Sequence, residues 1–322
     1  KMSRNATKCI ADKFYIIDDA NLGQYGIMLQ GVTHCKVINS TIDISGDKIS
    51  VYNLDHPNPE GGVSEHNLIE GCEIYSNSTT NPVVKSAVNA EFDTSYFTFK
   101  NNKVIGGYNS VEVYTRGSRI EGNFISGFSN IGIRGAGDIS NSKISGNTIE
   151  QNTNSNAILI NPPIKSENIT VDNNNILHAS FSPVYITNVD GISLCGNFIN
   201  GDLSAVTIGI TLAANVKNAR IYGNNIRNFP VAAVYSLVNN INVNIVDNSF
   251  KNITDNPIYV ELSSGKIMGN SYESSGNDSI NNKKEVIVIS NKEQGLLLTT
   301  PDGSNKYKIL VDNSGVVTST LV

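Results

Sequence analysis

The sequence predicts an all-β protein, a right-handed parallel β-helix of about ten coils followed by a small C-terminal β module. Three observations lead to this prediction. A short motif recurs with a mean spacing of 24 residues from Asn102 to Asn270. Segments with alternating apolar and polar residues lie between its copies, and no stretch of useful length has the 3.6-residue period of an amphipathic helix.

The repeated motif reads apolar, variable, Gly or Asn, Asn, variable, apolar, as in the segment from Ile144 through Asn147 to Ile149. Asn adopts the left-handed backbone conformation more readily than most residues, and stacked Asn side chains can form hydrogen-bonded ladders. The motif therefore predicts a tight corner in each coil, with its apolar residues pointing inward. Degenerate copies stand at Ser40 and Cys72, and the full copies centre on Asn102, Asn123, Asn147, Asn174, Asn197, Asn224, Asn248 and Asn270.

The alternating segments predict strands with one buried face. Propeller blades need a longer period with four antiparallel strands, and leucine-rich repeats need a Leu-dominated consensus, so the parallel β-helix is the architecture that fits. The clearest strand segments are Ser110–Tyr114, Asn130–Arg134, Asn156–Ile160, Pro183–Thr187 and Pro257–Glu261.

Composition agrees with this fold class and excludes others. The 322 residues include 46 Asn and 27 Gly, only 16% are charged, and the net charge is −5. This composition excludes a coiled coil and a basic nucleic-acid-binding protein, and the abundance of Ile and Val argues against disorder. The chain contains no apolar run of 18 residues, no CxxC pair among its four cysteines and no phosphate-binding glycine loop. We therefore expect no membrane insertion, no metal and no cofactor.

Three regions follow from the repeat. Residues 1–272 form the β-helix, the polar residues 273–284 form a linker, and residues 285–322 form the C-terminal module. A module of this size buries too little surface to be stable alone, so we expect it to associate with copies of itself. Its predicted strands are Glu285–Ile289, Leu296–Thr299, Tyr307–Val311 and Val316–Leu321.

Strand alternation places three carboxyl groups on the outer face of neighbouring coils, and these are the candidate catalytic residues Glu91, Asp93 and Glu112. Glycoside hydrolysis needs two carboxyl groups, and a separation of about 6.5–9.5 Å permits inversion of configuration. Glu91 and Asp93, two residues apart on one strand face, are predicted to lie about 6–7 Å apart at Cα, and Glu91 and Glu112, one coil and two residues apart, about 8 Å, so either pair suits an inverting enzyme. Alignment of successive coils also predicts that Asn89 stacks beside Glu112. The cluster therefore predicts a hydrolase.

The same face offers an alternative chemistry and several substrate-binding residues. Tyr114, Arg116 and Arg134 are candidate substrate-binding residues, and Tyr114 with Arg134 would take the leading roles if the enzyme were a polysaccharide lyase, in which a base abstracts a proton and a cation neutralises a uronate.

An insertion at Asp55–His66 interrupts the repeat just before the Glu91 coil. Long loops on a regular scaffold often carry function, so Glu60, Glu65 and His66 are further candidate substrate-binding residues.

Two features resemble the bacteriophage tailspike proteins with a pectate-lyase-like β-helix. The coil repeat covers residues 35–272 and is shared with pectinases, epimerases and adhesins, and the segment Gly295–Gly315 looks like the short C-terminal module of many tail spikes and fibres. The resemblance implies a homotrimer at the virion tail that binds and cleaves a host capsule or O-antigen polysaccharide. A non-catalytic glycan-binding adhesin or structural spike is the alternative.

Overall fold

A computed structural model describes residues 2–3, 6–18, 25–44, 48–54, 64–77, 86–91, 94–150, 155–179, 181–203, 207–237, 239–260, 264–274, 280–282, 296–299, 306–311 and 317–321. The regular structure in these ranges consists of β-strands. They contain no helix long and apolar enough to cross a membrane.

Three parallel sheets run along a rod, and each coil of the chain contributes one strand to each sheet in turn. This arrangement confirms the predicted parallel β-helix. The first sheet contains Met2–Ser3, Tyr25–Gln30, Ile49–Leu54, Ser86–Ala90, Asn109–Val113, Ile131–Gly135, Asn156–Ile160, Val184–Ile186, Ile208–Leu212, Ala232–Ser236, Ile258–Val260 and Ile280–Asn282. The second contains Ile10–Asp12, Lys36–Ile38, Leu68–Glu70, Thr98–Lys100, Arg119–Glu121, Lys143–Ser145, Ser166–Asp172, Val189–Cys195, Lys217–Tyr222, Val243–Val246 and Gly265–Met268. The third contains Tyr15–Asp18, Thr41–Ile44, Glu73–Ser76, Lys103–Gly106, Phe124–Ser126, Thr148–Glu150, Asn175–Ala179, Phe198–Gly201, Asn225–Phe229, Ser249–Ile253 and Ser271–Glu273.

The repeated Asn residues form a buried ladder at the corner between the second and third sheets. Asn147 is typical: its Nδ2 donates to Asn174 Oδ1 at 2.9 Å, and its Oδ1 accepts from the backbone N–H of Asn123 at 3.0 Å. Each rung therefore ties one coil to the next and satisfies backbone donors where the chain turns. The residue before the ladder position has a positive φ and is Gly or Asn in most coils, as in Gly122 and Asn173. The ladder connects Asn102, Asn123, Asn147, Asn174, Asn197, Asn224, Asn248 and Asn270.

The core fills the rod between the three sheets. Inward-facing Ile and Val residues stack in rows, one residue per coil, so Val88, Val111, Ile133 and Ile158 lie side by side in register and fully buried. Burial of these rows supplies the main stabilisation and holds each strand in one register, since a shift of one residue would turn the apolar row outward.

The chain ends add strands beyond the recognisable repeat. An extra coil with the strands Ile10–Asp12 and Tyr15–Asp18 precedes the first anchor, Ser40, and the strand Ile280–Asn282 pairs with Ile258–Val260 inside the segment predicted as a linker. In the C-terminal module, Leu296–Thr299, Lys306–Val311 and Val317–Leu321 form an antiparallel sheet. The predicted strand Glu285–Ile289 lies outside the described residues.

Candidate functional site

The candidate site lies on the outer face of the first sheet. Parallel pairing places Tyr52, Asn89, Glu112 and Arg134 side by side on four successive coils, all at positions that face away from the core. This register confirms the predicted stacking of Asn89 beside Glu112. The cluster is more enclosed than strand alternation alone suggests, because Glu112 and Asn89 are each only 5% exposed.

The Glu112 carboxylate accepts hydrogen bonds from four side chains. Its Oε1 accepts from the Tyr114 hydroxyl at 2.7 Å and from Arg134 Nη1 at 2.8 Å. Its Oε2 accepts from the Ser86 hydroxyl at 2.5 Å and from Asn109 Nδ2 at 3.2 Å. Since all four groups donate, Glu112 serves as the common acceptor of the cluster and pairs with the half-buried Arg134.

Glu91 is the second carboxyl group at this site. It follows the strand Ser86–Ala90, and its backbone N–H donates to Asn53 O at 2.9 Å, which places it at the same level as Tyr114 on the next coil. The Tyr52 hydroxyl is hydrogen-bonded to the Glu91 side chain, and burial together with this nearby carboxylate raises the pKa of Tyr52. The Tyr52 ring is also stacked on Tyr25 with 4.8 Å between centroids.

Tyr114 lies between the two carboxyl groups. Burial, the hydrogen bond to Glu112 and the negative charges of Glu112 and Glu91 raise the pKa of Tyr114, and the positive charge of Arg134 only partly opposes them. The phenol is therefore held as a hydrogen-bond donor. A tyrosine that abstracts a proton needs a pKa closer to the working pH, so this environment does not suit the base of a lyase.

Several polar atoms near this cluster are buried without a partner. Among the described residues, no hydrogen bond is made by Asn89 Oδ1, Arg134 Nε or Asn161 Oδ1. Asn89 and Arg134 flank Glu112, and Asn161 follows the strand next to Arg134. Other unpartnered atoms lie elsewhere in the described coils, but Asn89 Oδ1 and Arg134 Nε flank Glu112 directly, where a bound ligand would give them partners.

The other sequence-predicted residues lie elsewhere or outside the described ranges. Arg116 stands in a separate column of bridges with Ser95 and Glu65, and its Nε pairs with Asp138 at 2.9 Å. The chain turns a corner between Tyr114 and this column, so Arg116 and Glu65 do not belong to the outward row that contains Glu112. Asp93 and Glu60 are not among the described residues.

His66 belongs to an exposed aromatic stack at the same corner. Its ring lies 4.9 Å from that of His34 and 4.7 Å from that of Tyr96, and all three residues have a positive φ. Gly117 occupies the next position in this column, where an added Cβ would come within 2.6 Å of the Tyr96 ring. The three exposed rings thus occupy the corner where later coils have Asn contacts, and a role of His66 in substrate binding stays a prediction.

Sequence reasoning missed Tyr52, Ser86 and Asn109. Tyr52 lies in the coil interrupted by the insertion after Leu54, where the repeat cannot be aligned by spacing. Ser86 and Asn109 reach Glu112 from the beginnings of their strands, and only the side-chain hydrogen bonds reveal this. The alternation of Ile49–Leu54 was the one available signal for Tyr52.

Comparisons with known proteins support the fold. No family model matches the chain, and no curated protein matches it significantly in sequence. Solved structures of the same fold include the A-module of mannuronan C-5 epimerase AlgE6 from Azotobacter vinelandii, with a TM-score of 0.53 and 14% identity over 77% of this chain and 75% of that one. A variant of the periplasmic alginate epimerase AlgG has a TM-score of 0.51 and 15% identity, covering 79% of this chain and 61% of its own.

A phage protein is similar to the same degree. A tailspike variant of the E. coli bacteriophage HK620, in complex with a pentasaccharide, has a TM-score of 0.51 and 12% identity over 78% of this chain and 62% of that one. The chain thus spans about three fifths of the length of the tailspike and of the periplasmic epimerase. At these identities the likeness is one of fold, and it confirms the tailspike-like β-helix expected from the sequence.

Proposed function

We propose that the protein binds and depolymerises a bacterial surface polysaccharide, capsule or O-antigen, by glycoside hydrolysis. The observation that carries the proposal is the pair of carboxyl groups of Glu91 and Glu112 on adjacent coils of one sheet face. The strand spacing and the two-residue offset put their backbones about 8 Å apart, and carboxyl groups at a similar separation would leave room for a water molecule between them. The tailspike and epimerase neighbours, named for polysaccharide substrates or solved with an oligosaccharide, support the same substrate class.

The two carboxyl groups have different surroundings, which suits different roles. Glu112 is surrounded by donors, so we assign it the role of the carboxylate that activates the water molecule and faces the positive charge developing at the anomeric carbon. Glu91 is less buried than Glu112 and lies at the more open edge of the strand, so we assign it the general acid. Asp93, two residues after Glu91 in the chain, is the alternative base.

Elimination is the second candidate, and two observations count against it. Tyr114 is held as a donor by the carboxylates beside it. Arg134 is already paired with Glu112 at 2.8 Å, so binding a substrate uronate through Arg134 would compete with this ion pair.

Incubation with purified capsule or O-antigen polysaccharide tests this function. We expect the polymer to elute later from a size-exclusion column after treatment, with new reducing ends and without the ultraviolet absorption of an unsaturated uronate. Binding without shortening would instead identify a non-catalytic adhesin, and appearance of the ultraviolet band would identify a lyase.

We further propose that the chain acts as a homotrimer at the virion tail. The C-terminal three-stranded sheet is too small to be stable by itself, and association of copies would bury more of its surface. Light scattering on the intact chain is expected to give three times the monomer mass, and deletion of residues 285–322 should weaken the assembly. A monomeric intact chain would contradict this proposal.

A further inference from the structure

The outer face of the first sheet changes its chemistry after Arg134. The outward row that contains Glu112 and Arg134 continues through Leu159, Tyr185, Thr211, Tyr235 and Tyr259, one residue per coil. The Tyr235 and Tyr259 rings are stacked with 4.7 Å between centroids. We call this surface the tyrosine face. It consists of the outward residues of the five first-sheet strands from Asn156–Ile160 to Ile258–Val260, and of the described residue that follows each of these strands.

The tyrosine face carries no charge on any of its described residues. The outward positions on one side of the central row include Asn156 and Ile208, and those on the other side include Asn161, Thr187 and Leu237. These five residues are half-buried, whereas Thr211 in the central row is only 6% exposed. With about 4.8 Å between strands, five coils give a track about 20 Å long beside the carboxylate cluster.

The other two faces of the same coils differ. On the second sheet side, Lys165 pairs with Asp190 at 2.6 Å, and Arg220 points into solvent. On the third sheet, Lys251 pairs with Glu273 at 2.5 Å. Among the described residues, the tyrosine face therefore differs from the other two faces in carrying no charged side chain, and this difference makes it the candidate surface for contact with a ligand.

We propose that the tyrosine face binds uncharged sugar residues of the polysaccharide, so that the glycan runs along the rod from Glu112 toward the C-terminal coils. The inference rests on the proposed function and names the chemistry of the substrate. It predicts a polymer whose repeating unit presents several consecutive neutral sugars.

The chemistry of the face matches a neutral glycan. A sugar ring combines apolar C–H patches with hydroxyl groups, and tyrosine combines an apolar ring with a hydroxyl group, so the two can pack and exchange hydrogen bonds. Asn156, Thr187 and Thr211 are uncharged as well, and their side chains already hydrogen-bond to Ser182 or Ala214. A uronate on this face would meet no cation among the described residues, and desolvating it there would be costly.

Continuity with the carboxylate cluster favours a glycan over a second copy of the chain. Leu159 is the direct strand neighbour of Arg134, so a polymer held at Glu112 reaches the face without a gap.

Binding measured apart from cleavage tests the inference. The probes are two sets of purified O-antigen and capsular polysaccharides, one with uncharged repeating units and one containing uronates. The protein is the full chain with Glu91→Gln and Glu112→Gln, to which Tyr185→Ala or Tyr235→Ala is added. Tyr222→Ala is the matched control, since Tyr222 lies on the second sheet and is 45% exposed.

We expect the parent to retain an uncharged polysaccharide, with little change in affinity between low and high salt because no ion pair is involved. Each face variant should weaken binding about tenfold, the effect of one lost contact of ordinary strength, and Tyr222→Ala should not. Tyr185→Phe, which preserves ring packing, separates loss of the hydroxyl from any loss of folding.

Three results would overturn the inference: retention only of uronate polymers, equal binding by the face variants and the control, or loss of self-association in Tyr185→Ala with glycan binding intact. The last result would assign the face to a second copy. If the native chain binds a neutral polymer through the face and never shortens it, the hydrolase proposal fails and the assignment of the face stands.

Discussion

The Glu91→Gln variant is expected to lose at least about 100-fold in the rate of polysaccharide cleavage, with its fold unchanged. Glutamine has the shape of glutamate and can still accept the hydrogen bond from Tyr52, but it cannot transfer a proton to the leaving oxygen. The measurement is the rate at which new reducing ends appear on a polysaccharide that the wild-type chain cleaves.

Glu112→Gln should reduce the same rate to a comparable degree for a different reason. The amide is neutral and brings two donors of its own toward Ser86, Asn109, Tyr114 and Arg134, which already donate to this position. The negative charge facing the anomeric carbon is lost, and the Arg134 charge is left without its partner.

Glu150→Gln is the matched control for both variants. Glu150 is a half-buried, outward-facing carboxylate on the third sheet, away from the Glu112 row, so its replacement should leave the rate unchanged. If Glu91→Gln and Glu112→Gln both keep normal turnover and circular dichroism confirms their fold, the site lies elsewhere. The Asp55–His66 segment or a groove between chains would then become the preferred location.

The Asn147→Ala variant is expected to reduce the free energy of unfolding by about 3–5 kcal/mol. Asn147 stands in the middle of the buried ladder, where its amide accepts from the backbone and side chain of Asn123 and donates to Asn174 and to Ile120 O. Alanine leaves buried donors and an acceptor without partners, and each costs about 1–3 kcal/mol. Urea unfolding followed by circular dichroism measures the change.

Asn225→Ala provides the comparison, because Asn225 is exposed on the outer face of the third sheet. Its replacement should change stability by no more than about 0.5 kcal/mol. Similar losses of unfolding free energy in both variants would show that the hydrogen bonds of the ladder add no stability beyond that of the stacked coils. A loss confined to Asn147→Ala would show that the hydrogen bonds along the corner hold neighbouring coils together.

The fold was predictable because every coil repeats the same local solution. The Asn motif and the inward Ile and Val rows recur about every 24 residues. An ambiguous assignment in one coil can therefore be resolved by alignment with the neighbouring coils, and the aligned repeats predict the three parallel sheets. The ends were less predictable: the first coil has Phe14 at the position that Asn occupies in later coils, and the strand Ile280–Asn282 is surrounded by polar residues. These terminal strands pair because the adjacent coil offers them a strand edge, and their own sequence pattern does not predict the pairing.

For the site, alternation alone determined that Glu112 and Tyr114 point away from the core and that Asn89 lies beside Glu112. Only the tertiary structure showed that Ser86, Asn109, Tyr114 and Arg134 all donate to one carboxylate, and that Arg116 is engaged with Asp138 beyond the corner. The physical reason is that strand period sets which face a residue occupies, whereas hydrogen-bond partners depend on lateral register across coils separated by insertions of variable length. The uncharged tyrosine face has the same origin, since its residues are scattered along the chain and become a surface only when the coils stack.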